Sequence, residues 1–253
     1  MVHERSILPG AGNYNIEVDE AVPRDARRII LAMHGFCGSK ASRCITLLQE
    51  VETKKGIGLV KFDWPAHGKS NAKDSDLTVS NCLADLSSVV IHLQKKYPEA
   101  ELIAFATSFG GYVTMLYAGE HPRVFSRIIL RSPALRFGAV LQENIIDEDM
   151  AKQLSETGAF ATGFDRIIRV SEEFVRESRE RRIEDLYKDP EAWDLSHVTI
   201  IHGDADELVP FRDSVAFADR FGVELHKVSG ADHRYTGDGQ LEEAVAFASM
   251  RIG

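Results

Sequence analysis

Six short apolar runs, at 28–33, 58–62, 102–106, 127–130, 198–201 and 223–228, are spaced through this chain with helix-like stretches between them. Continuous apolar runs of this length suit strands buried on both faces. The intervening patterns, at about 40–53, 78–96, 109–120, 211–221 and 240–251, carry helical periodicity. Strand and helix in alternation predict an α/β fold: a mostly parallel central sheet with helices on both faces. A length of 253 residues suits one such domain, with room for an inserted subdomain. The alternation breaks once. Residues 133–195 are highly charged and show no obvious buried strand, with Glu and Arg dense between Ile167 and Arg182. A solvated helical face would account for this, but so long an interruption in a compact domain is more often functional. The expected organisation is a core of 1–132 and 196–253 with an inserted cap at 133–195.

The formal charge of −9 is spread along the chain, and nothing concentrates Lys and Arg. Nucleic acid and anionic membrane are therefore not expected partners. Cys37, Cys44 and Cys82 are few, odd in number and scattered, which is neither a disulfide framework nor a zinc-site spacing. They fit a reducing compartment. The charged N-terminus is followed by no apolar signal-peptide core, and no stretch approaches the roughly 20 apolar residues of a membrane span. A cytoplasmic, soluble protein is expected.

The chemistry-bearing residues gather where the strands end. Ala106-Thr107-Ser108-Phe109-Gly110 follows one buried run and opens a helix. It resembles a nucleophile elbow, G-x-S-x-G, with alanine in the first glycine place. That turn needs small residues two before and two after the serine, because strand and helix backbones nearly touch there. His34-Gly35-Phe36-Cys37-Gly38-Ser39 follows an earlier run, and His202-Gly203-Asp204-Ala205-Asp206 through Pro210 a later one. Of nine histidines, His92 falls in a helix, His226 in a strand, His121 at a helix end, and His34 and His202 in loops with other assignments. His233, in the loop Gly230-Ala231-Asp232-His233-Arg234, remains as the candidate base. Gly68-Lys69-Ser70 ends like a phosphate-binding loop, but that motif needs glycine where Asp63 stands. No H-E-x-x-H, paired cysteines or G-x-G-x-x-G is present, so neither metal nor dinucleotide cofactor is expected.

Taken together these strings resemble the α/β-hydrolase superfamily over nearly the whole length. The similarity is greatest to small carboxylesterases of the cinnamoyl or feruloyl esterase, monoacylglycerol lipase and serine aminopeptidase-like group. Phe62-Asp63-Trp64-Pro65-Ala66-His67-Gly68-Lys69-Ser70 belongs to the same likeness. The resemblance implies a serine hydrolase with Ser108 as nucleophile, His233 as base and Asp206 as the acid of a G-x-x-D pattern, in the chain order Ser, Asp, His. Asp204 is the competing acid, with a turn-forming role as its alternative. The backbone amides of Phe36 and Phe109 are the implied oxyanion donors. A small-molecule ester is the implied substrate, no cofactor is required, and oligomeric state is not legible. Phe137, Leu141, Ile145, Phe160, Phe164 and Ile168 of the inserted segment are candidates to line an acyl pocket; for any one of them, packing the segment onto the body is the commoner role.

Overall fold

The structure, a computed structural model, describes residues 1–164 and 166–253. Its centre is an eight-stranded sheet whose strands, in spatial order, are β1 (Val2–Pro9), β2 (Asn15–Val22), β4 (Gly58–Phe62), β3 (Arg28–Met33), β5 (Glu101–Thr107), β6 (Arg127–Arg131), β9 (Val198–Gly203) and β10 (Glu224–Val228). The six apolar runs are β3, β4, β5, β6, β9 and β10. All six pair in parallel. Their apolar character follows from burial on both faces. In β3, Ile29, Leu31 and Met33 join the larger apolar core, whereas Ile30 and Ala32 join the smaller core on the opposite face.

Five longer helices fill the intervals: α1 (Arg43–Lys54), α2 (Val79–Lys96), α3 (Phe109–Glu120), α8 (Phe211–Phe221) and α9 (Gln240–Ile252). Helices α1 and α9 cover the smaller core, with Ile45, Leu48, Leu241, Val245 and Ala248 turned inward. Helices α2 and α3 cover the larger core, and Thr78 caps α2 by accepting the Asn81 amide at 3.0 Å.

Two strands have no counterpart in the apolar pattern. β1 (Val2–Pro9) and β2 (Asn15–Val22) form an antiparallel hairpin added to β4, also antiparallel. β1 is the sheet edge and is largely exposed, so a polar sequence serves it. Its hairpin is tied down by charge: Glu20, buried within the sheet, accepts from Ser6, Lys96 and Tyr97.

Residues 133–195 are more structured than their charge suggests. They contain α4 (Phe137–Val140), a π-helical turn (Leu141–Ile145), α5 (Glu148–Thr157), α6 (Glu172–Glu180) and α7 (Ile183–Leu186). They also contain a separate antiparallel hairpin, β7 (Ala159–Thr162) with β8 (Ile168–Ser171), where the sequence shows no obvious strand. Those strands are four residues each, too short for a detectable apolar run. The segment's buried side chains join the sheet: Phe137, Leu141, Phe160, Ile168 and Phe174 belong to the larger core. Polar contacts hold it down as well. Glu177 accepts the Ser80 amide at 2.9 Å at the start of α2, and Arg166 donates to the Ser70 carbonyl at 2.7 Å.

The strand order reverses beside β3. The chain runs from β3 outward to β4, then crosses back to β5 on the other side. In open α/β sheets a crevice for ligands lies beyond the carboxyl ends of the strands at such a reversal. The loops after β3 and β5 are those that begin at His34 and Ser108.

Candidate active site

Ser108 sits between β5 and α3 with φ +51° and ψ −117°, a conformation that L-residues rarely adopt. The surrounding backbone holds it there. The Ser108 N–H donates to the Arg131 carbonyl at 3.0 Å, and the Ser108 carbonyl accepts from Gly111 at 2.9 Å and Ala134 at 3.1 Å. The demand for small residues is visible in the contacts. A Cβ at Gly110 would lie 2.6 Å from the His34 carbonyl oxygen, and one at Gly35 would lie 3.0 Å from the Ser108 Cβ. Ala106, in the first glycine place, is fully buried between its β-partners Met33 and Leu130, and the turn forms around its methyl group.

Three side chains from separate loops meet at this turn. The Ser108 hydroxyl faces His233 Nε2 at 3.1 Å, and His233 Nδ1 faces Asp206 Oδ2 at 2.7 Å. The other carboxylate oxygen, Oδ1, accepts the amides of Leu208 (3.0 Å) and Val209 (2.8 Å). These contacts assign the His233 tautomer, with Nδ1–H donating to the carboxylate and Nε2 open to the serine proton. Burial alone would raise the Asp206 carboxyl. Hydrogen bonds from His202, His233 and the Val209 amide outweigh it and hold the group well below the usual carboxylate range. Asp204 points elsewhere: it accepts the Gly230 amide at 2.6 Å and pairs with Lys227 at 3.3 Å. It ties the loop after β9 to the loop that leads to His233.

The loop after β3 lies against the serine and is rigidly braced. His34 is fully buried, and burial pushes its imidazole down to about 4, so it is neutral. Its Nδ1–H donates to the Gly35 carbonyl at 2.8 Å, and its Nε2 accepts the Trp64 amide at 3.1 Å. Gly38 also donates to the Gly35 carbonyl, at 3.1 Å. In a trans peptide the N–H points opposite to the C=O. Fixing the Gly35 carbonyl therefore fixes the direction of the Phe36 N–H. The Ser108 carbonyl, held by Gly111 and Ala134, fixes the Phe109 N–H in the same way.

The stretch that ends in Gly68-Lys69-Ser70 has a structural reason for its glycine. Asp63 accepts the Lys40 amide at 2.7 Å and the Lys69 amide at 3.0 Å. Gly68 has φ +49°, and a Cβ there would lie 2.4 Å from the Asp63 carboxylate. The carboxylate that brings these loops together occupies the space a side chain would need.

Of the six apolar candidates in the inserted segment, Phe137, Leu141, Phe160 and Ile168 are buried in the larger core, and Ile145 packs against it. Phe137 and Phe174 form an aromatic cluster with Phe36 and Phe109, ring centroids 4.7–5.9 Å apart. Phe164 alone is exposed, at 67%, and its ring lies 4.0 Å from the guanidinium of Arg234, next to His233. Two neighbours of the site are not among the residues assigned from the sequence. His202, fully buried, contributes its ring to Asp206, and Arg131 donates to the His233 carbonyl. An i, i+4 spacing to Asp206 after a strand was the one available clue to His202.

This topology, with a strained serine between β5 and α3, defines an α/β hydrolase. The chain belongs to the family described as serine aminopeptidase, S33, whose pattern matches residues 24–194. Solved structures of similar fold include Est1E from Butyrivibrio proteoclasticus with ferulic acid bound, at TM-score 0.80 and 23% identity over 98% of this chain and 99% of that one. A putative hydrolase from Agrobacterium vitis S4 superposes at TM-score 0.81 with 19% identity over the whole of both chains. In sequence, the chain is similar to the mouse monoglyceride lipase, 32% identical over 84 residues, 31% of this chain and 27% of that protein. A monoglyceride lipase homolog of monkeypox virus is 24% identical over 121 residues, 47% of this chain and 43% of that protein. The chain thus matches less than half the length of these curated relatives. The family is one of serine hydrolases, and the fold is that of an α/β hydrolase.

Proposed function

We propose that the protein cleaves carboxylic esters of small molecules through an acyl-enzyme on Ser108, with His233 as general base and acid and Asp206 as its orienting carboxylate. The observation that carries this reading is the position of His233, 3.1 Å from the Ser108 hydroxyl and 2.7 Å from the Asp206 carboxylate. His233 Nε2 takes the Ser108 proton as the oxygen attacks the ester carbonyl carbon. The carbonyl π electrons move onto oxygen, and that oxyanion is stabilised by the amides of Phe36 and Phe109. Collapse breaks the ester C–O bond, and the imidazolium returns its proton to the departing alcohol. Water, deprotonated by the same imidazole, then attacks the acyl carbon and releases the acid and free Ser108. Two aimed amides contribute several kcal/mol, since losing one such donor costs about 3–4 kcal/mol.

Ester preference is supported by the company the chain keeps: similarity to monoglyceride lipases, and a fold shared with a protein solved with ferulic acid bound. The family description, serine aminopeptidase, favours amide cleavage on the same triad as the second reading. Three free cysteines suit a cytoplasmic setting. Residues 133–195 act in this reading as a cap, with Phe164 its substrate-facing member.

A fluorophosphonate probe should label the protein, and Ser108→Ala should abolish both labelling and hydrolysis of p-nitrophenyl acetate and butyrate while the fold is kept. Wild-type rates in the folded variant would overturn the nucleophile. A panel of esters, thioesters and aminoacyl amides then decides the acyl class; preference for the amides would replace the esterase reading with the peptidase one.

A further inference from the structure

Arg131 ends β6, beside the strand that carries the nucleophile. Its carbonyl accepts the Ser108 N–H at 3.0 Å. Its guanidinium reaches the loop after β10 and donates through both terminal nitrogens to the His233 carbonyl, at 3.1 and 3.0 Å. One residue therefore contacts the backbones of both Ser108 and His233. The fork of Arg131 also lies over the ring of Tyr235, 4.5 Å from its centroid. Tyr235 is itself pinned: it has φ +57°, its hydroxyl donates to the Ile201 carbonyl at 3.4 Å, and it accepts from Ser132 at 3.3 Å.

Arg131 is only 8% exposed, and its Nε has no hydrogen-bond partner among the described residues. Those residues offer the guanidinium a carbonyl and an aromatic face rather than a carboxylate. A buried cation without a counter-ion is costly, and an apolar residue of similar volume would pack more cheaply. Its rigid donor fork does one thing an apolar residue would not: it seizes a carbonyl from two directions. Asp206 holds the His233 ring, through Nδ1, but that bond does not hold the backbone that carries the ring. The carbonyl tether fixes the other end.

We propose that Arg131 is a positioning residue that anchors the His233 backbone to the strand beside Ser108, and so keeps Nε2 at the serine hydroxyl. The proposal rests on the triad reading above. Misplacing a catalytic group by about 1 Å costs on the order of a hundredfold in rate. Arg131→Met, which removes the donors and keeps an unbranched stem, should lower kcat by about ten- to a hundredfold with KM within about twofold. Arg131→Lys, with one ammonium in place of the fork, should fall in between, about fivefold below wild type.

The deciding measurement is the same substitution in a His233→Ala background. A residue that acts through His233 has nothing left to position there, so residual turnover should not fall further. A folded Arg131→Met protein with wild-type kcat overturns the proposal, and so does an equal fall in both backgrounds, which marks a general structural role. If Arg131→Met does not fold, Arg131→Lys in the two backgrounds is judged by the same criteria. Fluorophosphonate labelling keeps the two readings apart. Wild-type protein that resists the probe sinks the triad and this inference together, whereas labelled wild type with an indifferent Arg131 sinks the inference alone.

Discussion

His202 Nε2 lies 3.1 Å from Asp206 Oδ2, the same carboxylate oxygen that His233 Nδ1 approaches at 2.7 Å. The Val209 carbonyl lies 3.1 Å from that His202 nitrogen, and the Ser214 hydroxyl lies 2.7 Å from His202 Nδ1. Two acceptors at Nε2 place the proton there, so His202 donates to Asp206 and accepts from Ser214. The carboxylate thus has donors on both oxygens before His233 is counted, which fixes its plane toward the imidazole.

That arrangement separates the two acids of the β9 loop. Asp206→Asn should lower kcat by about a thousand- to ten-thousandfold, because an amide leaves His233 in the wrong tautomer. Asp204→Asn keeps an oxygen to accept the Gly230 amide and should change kcat by less than about threefold. Steady-state kinetics on p-nitrophenyl butyrate rank the two, and the reverse order would transfer the role to Asp204.

The elbow gives a steric prediction. A methyl group at Gly110 would meet the His34 and Met33 carbonyl oxygens at 2.6 and 2.9 Å, both backbone atoms at the junction of β3 with the Phe36 loop. Gly110→Ala should therefore cost about 3 kcal/mol of stability, at the upper end of ordinary overpacking, and most of the activity. Denaturant titration measures the first and ester turnover the second. A variant as stable and active as wild type would mean that α3 does not approach β3 this closely.

Asp85 predicts a pH dependence of stability. It is buried in α2, where it accepts the Ala11 amide and the Tyr14 hydroxyl, both at 2.9 Å. Burial raises its carboxyl to about 6, with Asp76 adding to the effect and the two donors opposing it. The unfolded value is near 4. The stabilising contribution of the raised carboxyl is therefore complete below pH 4 and lost as pH rises through 6. Asp85→Asn, which does not ionise, should gain on wild type by on the order of 2 kcal/mol between pH 4 and pH 8. Unfolding free energies at the two pH values test this; parallel pH profiles would remove Asp85 as the cause.

Phe164 offers a test of the cap that leaves the core intact. Replacing the whole of residues 133–195 would uncover Phe109 and Tyr112, because Phe137 and Phe174 pack into the same cluster. Phe164 contributes nothing to that cluster and is exposed beside Arg234. Phe164→Ala should leave the melting temperature and acetyl-ester turnover nearly unchanged and reduce preference for bulky acyl groups by about tenfold, the effect of 1–3 kcal/mol of apolar contact. An unchanged ester profile would place substrate away from the hairpin.

What the sequence determined by itself was local in origin. Runs such as 28–33 and 198–201 announce buried strands because a two-sided apolar environment admits little else, and Ser108 with Gly110 announces a tight turn because backbone contact excludes a side chain. The positions of Ser108, Asp206 and His233 after strands follow from that register. Tertiary structure alone decided the rest. The β1–β2 hairpin is polar and becomes a strand pair only because β4 offers its edge. Glu20 looks like a surface residue until Lys96, Ser6 and Tyr97 surround it. Phe137 stands in the sequence as a pocket candidate whose commoner role is packing, and only its meeting with Phe36 and Phe109 settles the matter for packing. Arg131 is one arginine among many until β6 lies beside β5 and the His233 loop folds over its end. Periodicity and steric exclusion act over a few residues and are written in the chain. A hydrogen bond between residues 131 and 233 depends on which strands become neighbours, and only the assembled sheet settles that.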